Sequence, residues 1–178
     1  TWEIDDPSIA AISPLGDKCY IVPKVPGQAR LIVRHADSTY DKNVLILVGK
    51  TQEDIDGLSY LTTTQNVVRM VTGTQQTVSV RLSGTSETSA ADYAWTSDNP
   101  SVLQIVDNGA TAVLSGITAG VARVTVKHAS CVYPLDITVI ISNTLQDASS
   151  NPYITSGQNI LTVTKDGASK NLSVTLAG

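Results

Sequence analysis

The sequence predicts an all-β protein made of repeated β-sandwiches with a period of about 93 residues. Three observations carry that expectation. The first is composition: the 178 residues include 20 Val and 21 Thr, against 12 basic and 16 acidic residues and no Phe. Val and Thr branch at Cβ and suit a pleated strand better than a helix. The second is a long internal repeat. The third is a succession of short alternating apolar runs, each closed by Gly, Pro, Asn or Asp.

The repeat is read by sliding the chain against itself. WEIDDPSIAAI at 2–12 matches WTSDNPSVLQI at 95–105, and GQARLIVRHA at 27–36 matches GVARVTVKHA at 120–129. Both matches hold one offset of 93, with 13 identities over residues 1–49. Trp2 thus pairs with Trp95, Pro7 with Pro100, Gly16 with Gly109, Gly27 with Gly120, His35 with His128 and Tyr40 with Tyr133. YLTTTQN at 60–66 matches YITSGQN at 153–159 at the same offset. SVRLSG at 79–84 matches SVTLAG at 173–178 at offset 94, so one residue is inserted near Gly73 and Gly167. The chain therefore reads as the back half of one repeat (1–49), a complete repeat (50–142) and the front half of another (143–178). Chain ends out of phase with the repeat leave two incomplete sandwiches. The expected remedies are a longer parent chain, completion by a second molecule through strand addition, or closure of the two halves on each other.

Within the complete repeat the elements follow in order. Val-rich runs at 66–71 and 77–82 flank a turn at Thr72-Gly73-Thr74, with Val78, Val80 and Leu82 alternating with polar residues. A polar loop spans 84–92. A strand starts at Tyr93 and Trp95 and turns at Asp98-Asn99-Pro100-Ser101. Leu103 and Ile105 share one face. A turn at Asp107-Asn108-Gly109 leads to a strand at 110–114, and Thr118-Ala119-Gly120 turns again. Ala122, Val124 and Val126 then face one way and Arg123, Thr125 and Lys127 the other. A last strand covers 137–142. Seven or so short strands in such a length is a sandwich pattern. No stretch holds a helical period.

These residues resemble the bacterial immunoglobulin-like domain of group 2, the repeat of intimin-like and leptospiral surface adhesins. The resemblance rests on the Gly-turn hairpin at 66–84, on Trp95-x-Ser-Asp-x-Pro-Ser-Val102, on Gly109, and on Ala119-Gly120 ahead of an alternating strand. Leu103 stands where the family usually has Ala, and the loop before Tyr93 is longer. The resemblance implies tandem immunoglobulin-like β-sandwiches strung in rods on a cell surface or a virion appendage. Trp2, Trp95, Pro7, Pro100, Gly27 and Gly120 then serve as structural residues: a Trp filling the gap between sheets, a Pro fixing a turn, and a Gly where φ is positive or another chain segment comes close.

Few residues suggest chemistry. Cys19 and Cys131 fall at different positions of neighbouring repeats, too far apart to bridge, and read as free thiols. His35 and His128 are one position seen twice, without the Cys/His spacing of a zinc site or a catalytic triad around them. Glu53, Asp54 and Asp56, in the acidic stretch QEDIDG at a junction between repeats, are a weak candidate for calcium, since hard cations prefer clustered oxygens. The next junction, 145–148, has only Asp147. Arg30, Arg34, Arg123 and Lys127 form a recurring basic stripe, read as surface and edge protection. Lys127 is the only Lys from 51 to 142, which speaks against a Lys–Asn crosslink there, and Asn171-Leu172-Ser173 is a chance sequon.

A net charge of -4 argues against a nucleic-acid partner. Apolar runs such as VLILV at 44–48 are strand-sized, far short of about 20 residues for a membrane helix. The chain lacks an initiating Met and a leader and reads as a piece of something longer. No paired carboxylates, nucleophile motif or phosphate loop suggests an enzyme or a cofactor. The leading expectation is a non-catalytic spacer or stalk of an extracellular surface protein, partnered by neighbouring repeats of the same or another chain. The alternatives are a virion or filament subunit joined head to tail by strand complementation, and a module binding a host matrix component or glycan.

Overall fold

The structure, a computed structural model, describes residues 1–84, 89–144 and 151–178. Residues 85–88 of the predicted loop at 84–92, and the junction at 145–148, lie outside the described residues. Strands dominate. The N-terminal segment holds β1 (Trp2–Ile4), β2 (Ala10–Leu15), β3 (Lys18–Pro23), β4 (Gly27–Val33) and β5 (Lys42–Gly49), then a single-turn helix α1 (Gln52–Asp56). The middle holds β6 (Tyr60–Thr62), β7 (Val67–Val71), β8 (Gln75–Ser79), β9 (Arg81–Ser83), a 3-10 turn at Ala90–Asp92, β10 (Tyr93–Ser97), β11 (Leu103–Asp107), β12 (Thr111–Gly116), β13 (Gly120–His128) and β14 (Leu135–Ser142). The C-terminal segment adds β15 (Tyr153–Ser156), β16 (Ile160–Thr164) and β17 (Lys170–Ala177).

These strands form two compact units. One is Ser59–Pro152, continuous in sequence; the other joins Thr1–Leu58 to Tyr153–Ala177. In the continuous unit one sheet runs β10-β13-β14-β7 and the other β11-β12-β8, with β6 and β9 as a separate pair. β13 and β14 are antiparallel, while β7 lies parallel to β14, with Val139 opposite Val68. The core draws on both sheets. Trp95, Val124, Val126, Ile137 and Val139 of the first meet Val78, Leu103, Ala112 and Leu114 of the second. The alternation predicted for β13 holds, with Ala122, Val124 and Val126 fully buried. Each buried Val, Leu or Ile side chain contributes about 1.5–3 kcal/mol, so the two inner faces carry the stability.

The discontinuous unit repeats this wiring. Its sheets run β1-β4-β5-β16 and β15-β17-β3-β2. β16 lies parallel to β5 with Ile160 opposite Leu45, where Val67 stands opposite Thr138 in the other unit. β17 pairs with β3, placing Leu172 opposite Cys19. The core joins Leu31, Val44, Ile46 and Val48 of the N-terminal segment to Leu161, Val163 and Leu172 of the C-terminal one. The first and last stretches of the chain thus complete one sandwich within a single molecule.

Two local features depart from expectation. The strand expected across 77–82 is interrupted: β8 pairs with β12, and β9 pairs instead with β6. At the break Val80 gives its amide to the Ala110 carbonyl at 2.8 Å. A strand that changes partners can serve both sides of a sandwich, and alternation alone does not reveal the change. The acidic junction contains α1. The Thr51 hydroxyl accepts from the Asp54 amide at 3.2 Å, and the Asp54 carboxylate accepts from the Thr51 amide at 3.0 Å. This capping box closes the first turn, and buried Ile55 anchors it.

Candidate functional site

The most built-up polar arrangement in the continuous unit is a corner around Trp95. Its indole Nε1 donates to the Gly109 carbonyl at 2.7 Å. Gly109 has φ +80, and a Cβ added there would lie 2.8 Å from that of Ala90. Ala90 lies in the 3-10 turn, which Ser89 caps: its hydroxyl accepts from the Ala91 amide and its own amide donates to Asp92. Asp92 then accepts at its carbonyl from the Ala129 amide at 3.1 Å. The Tyr93 ring meets the buried His128 ring edge-on, with centroids 4.6 Å apart and planes at 71°. His128 Nδ1 accepts from the Ser130 amide at 3.1 Å, which fixes its ring. These hydrogen bonds hold the turn, the Trp and the His together, while His128 Nε2 is buried without a hydrogen-bond partner among the described residues.

The same corner recurs in the discontinuous unit. Trp2 Nε1 donates to the Gly16 carbonyl at 3.1 Å, and His35 Nδ1 accepts from the Asp37 amide at 3.2 Å. Here Trp2 is only half-buried and His35 is exposed. The other repeated residues also find matching places. A turn opens at Asp6, where Ser8 donates from both hydroxyl and amide to the Asp6 carboxylate, and Pro7 takes the second position. In the partner turn Ser101 donates to the Asn99 side chain beside Pro100. The hydrogen bonds from Ser8, the hydroxyl first, hold the Asp6 carboxyl below its ordinary range. Gly27 and Gly120 are needed for close approach: a Cβ would meet the Ile9 side chain at 2.5 Å and that of Val102 at 3.0 Å.

The remaining candidates do not converge. Asp54 is engaged in the α1 cap, Asp56 accepts from Gln52 Nε2 at 2.8 Å, and Glu53 is exposed on the same turn. Among the described residues no three His, Cys, Asp or Glu side chains gather as a metal site. Both cysteines are free; Cys19 is buried, Cys131 half-buried, and burial pushes both thiols up. Of the basic stripe, Arg30 and Arg34 are partnered by acidic residues at and just beyond the neighbouring strand β1. Arg34 meets Glu3, whose hydrogen bond raises the guanidinium pKa further. Arg30 stands 3.8 Å from Asp5, and its amide also donates to that carboxylate. Asn171 is exposed on β17, opposite Tyr20. Sequence reasoning passed over the covering turn at 89–92, although Ser89-Ala-Ala-Asp92 carries its own capping-box signal.

Fold and corners together define an all-β protein of two sandwich units with one strand plan. The sequence matches no family model and no curated protein. Among solved structures it is similar to domains 4 and 5 of the S-layer protein SbsC, at 19% identity and TM-score 0.39, covering 79% of this chain and 69% of that one. A structure of SbsC domains 4–9 aligns at 19% identity and TM-score 0.41, over 88% of this chain and 23% of that one. Human protocadherin-24 EC1-2 aligns at 13% identity and TM-score 0.32, over 80% of this chain and 81% of that one.

Proposed function

We propose that this chain is a non-catalytic structural segment, a spacer or stalk, of a larger extracellular protein at a cell surface, built of immunoglobulin-like sandwiches of the bacterial group 2 kind. One observation carries the reading. The Trp, Pro and Gly residues that recur between the two halves of the sequence are consumed by folding contacts: Trp on a glycine carbonyl, Pro in a turn, Gly beneath an aliphatic side chain. A catalytic or ligand site would leave recurring polar groups unspent and convergent. Repeated units of this sort gain length by addition, each contributing its own core.

The test combines small-angle scattering of a longer stretch of the parent protein with an array of matrix proteins and glycans. A spacer gives an extended, rod-like profile and no saturable binding. Saturable binding to an array member would replace this reading with a ligand-binding module, and ordered lateral assemblies in micrographs would replace it with a virion or filament subunit. Head-to-tail strand complementation would require β16 and β17 to leave β5 and β3 of their own chain.

A further inference from the structure

The two sheets of the continuous unit show different surfaces to solvent. The outer face of β10-β13-β14-β7 carries Arg69, Arg123, Lys127 and Asp136. The outer face of β11-β12-β8 carries no charged side chain among the described residues. Its outward residues alternate with buried Val78, Leu103, Ala112 and Leu114 and fall in three rows across the strands. Val106, Val113 and Thr77 make the middle row. On one side lie Gln104, Ser115 and Gln75, with Gln75 Nε2 donating to Ser115 Oγ at 3.0 Å. On the other lie Thr111 and Ser79. Asp107, at the end of β11, turns its carboxylate to the Trp95 and Gly109 amides instead. Val106 is 58% exposed. The matching face of the discontinuous unit keeps this character with different residues. Leu15, Tyr20 and Val22 point outward from β2 and β3 and are 65%, 40% and 46% exposed, and Lys18 is the one charge among the outward residues of those strands.

We propose that the outer face of β11-β12-β8 is a contact surface for a second copy of this chain, laid sheet to sheet about a two-fold axis. Charge selects the partner. The chain carries a net charge of -4, so copies repel one another over the rest of their surface. A charged partner would bury its ions here with nothing to pair them. The same face of another copy is the uncharged surface that the structure supplies. A two-fold axis along the middle row stacks Val106 on Val106 and Val113 on Val113. It also sets Ser115 over Thr111 and Gln75 over Ser79, so that hydrogen-bonding groups meet each other across the contact. Such a contact is closed and recruits no third copy. Three strands spaced about 4.8 Å apart and about five residues long span only about 15 by 17 Å, so one contact is weak. Units repeated along a stalk would multiply it. That multiplication rests on the spacer reading, whereas the pairing itself does not.

The experiment follows the whole chain by sedimentation equilibrium and NMR from about 0.05 to 2 mM. The expected result is an average mass that rises from monomer toward dimer, at low and high salt alike. The signals of Val106, Val113 and Thr77 should move with concentration while those of Thr96 and Lys127 stay fixed. Val106→Lys weakens association about tenfold by setting two ammonium groups against each other, although it brings the net charge nearer zero. Thr96→Lys makes the same change of charge on the other sheet and leaves association unaltered. Both positions are exposed, and circular dichroism checks that the variants fold. Should Val106→Lys misfold, Thr77→Lys on β8 takes its place with the same expected loss. The proposal is overturned by a monomer throughout the range, by association that Val106→Lys spares or Thr96→Lys abolishes, by association lost at high salt, or by moving signals confined to other surfaces. In each of those cases a rod-like profile without array binding still supports the spacer reading.

Discussion

Trp95 and Trp2 make the same hydrogen bond in different degrees of shelter, which lets one substitution be read twice. Trp95→Phe removes a buried indole, leaves the Gly109 carbonyl without its partner and opens space beside the sheets. It is expected to destabilise the continuous unit by about 2–4 kcal/mol. Trp2→Phe, at the half-buried corner, costs less than half as much. Urea unfolding followed by circular dichroism measures both, and equal losses would mean that shelter plays no part. At the Asp6 turn the relevant variable is pH. A carboxyl whose folded pKa is depressed stabilises the fold above its unfolded pKa, and that contribution is lost as pH falls through the lowered value. Ser8→Ala removes the hydroxyl bond, so Asp6 should titrate nearer its ordinary range by NMR. The stability gap between wild type and variant should be present at neutral pH and close below the native Asp6 pKa.

At the scale of elements, the strands were legible where burial imposed a two-residue period. β10, β12, β13 and β14 lie where alternation and turn residues place them, within a residue or two. The break at Val80 was not legible, because a strand that moves from β12 to β6 keeps its alternation throughout. Nor was α1 read, although Thr51-Gln-Glu-Asp54 is a capping-box pattern; five residues are too few to show a helical period. Of the corner, Trp, Gly and His were visible through repetition, but the turn over them was not, since three residues are too few to show a helical period. The α1 cap offers a direct check. Thr51→Ala should lower stability by about 1 kcal/mol, measured as a drop in thermal midpoint, while Gln52→Ala, on the exposed side of the same turn, should leave it nearly unchanged.

At the scale of the whole molecule, sequence comparison marked out the period and the half-repeats, and the structure adds how the end segments meet. Their pairing is a tertiary choice: β5 and β3 need partners, and any copy of the front strands would satisfy them in register. The arrangement predicts unequal autonomy. Residues 59–152, which contain all strands of the continuous unit, should fold alone with a cooperative thermal transition. Residues 1–58 alone should not, because β5 and β3 would be left with bare edges and the inner face of the unit uncovered. Adding a peptide of residues 151–178 should restore a folded unit. A cooperative transition from 1–58 without that peptide would contradict the pairing.

Because β1 and β17 belong to the same sandwich, the molecule has a distinctive response to force. A pull applied at Thr1 and Ala177 enters and leaves through the discontinuous unit, and the inserted one carries no tension while its host holds. Stretching should therefore rupture the host first and only then load the inserted sandwich, giving two extension steps in a fixed order. Single-molecule pulling with handles at the two ends would register that order, and a stretched segment of this kind would keep one sandwich in reserve after the other had yielded.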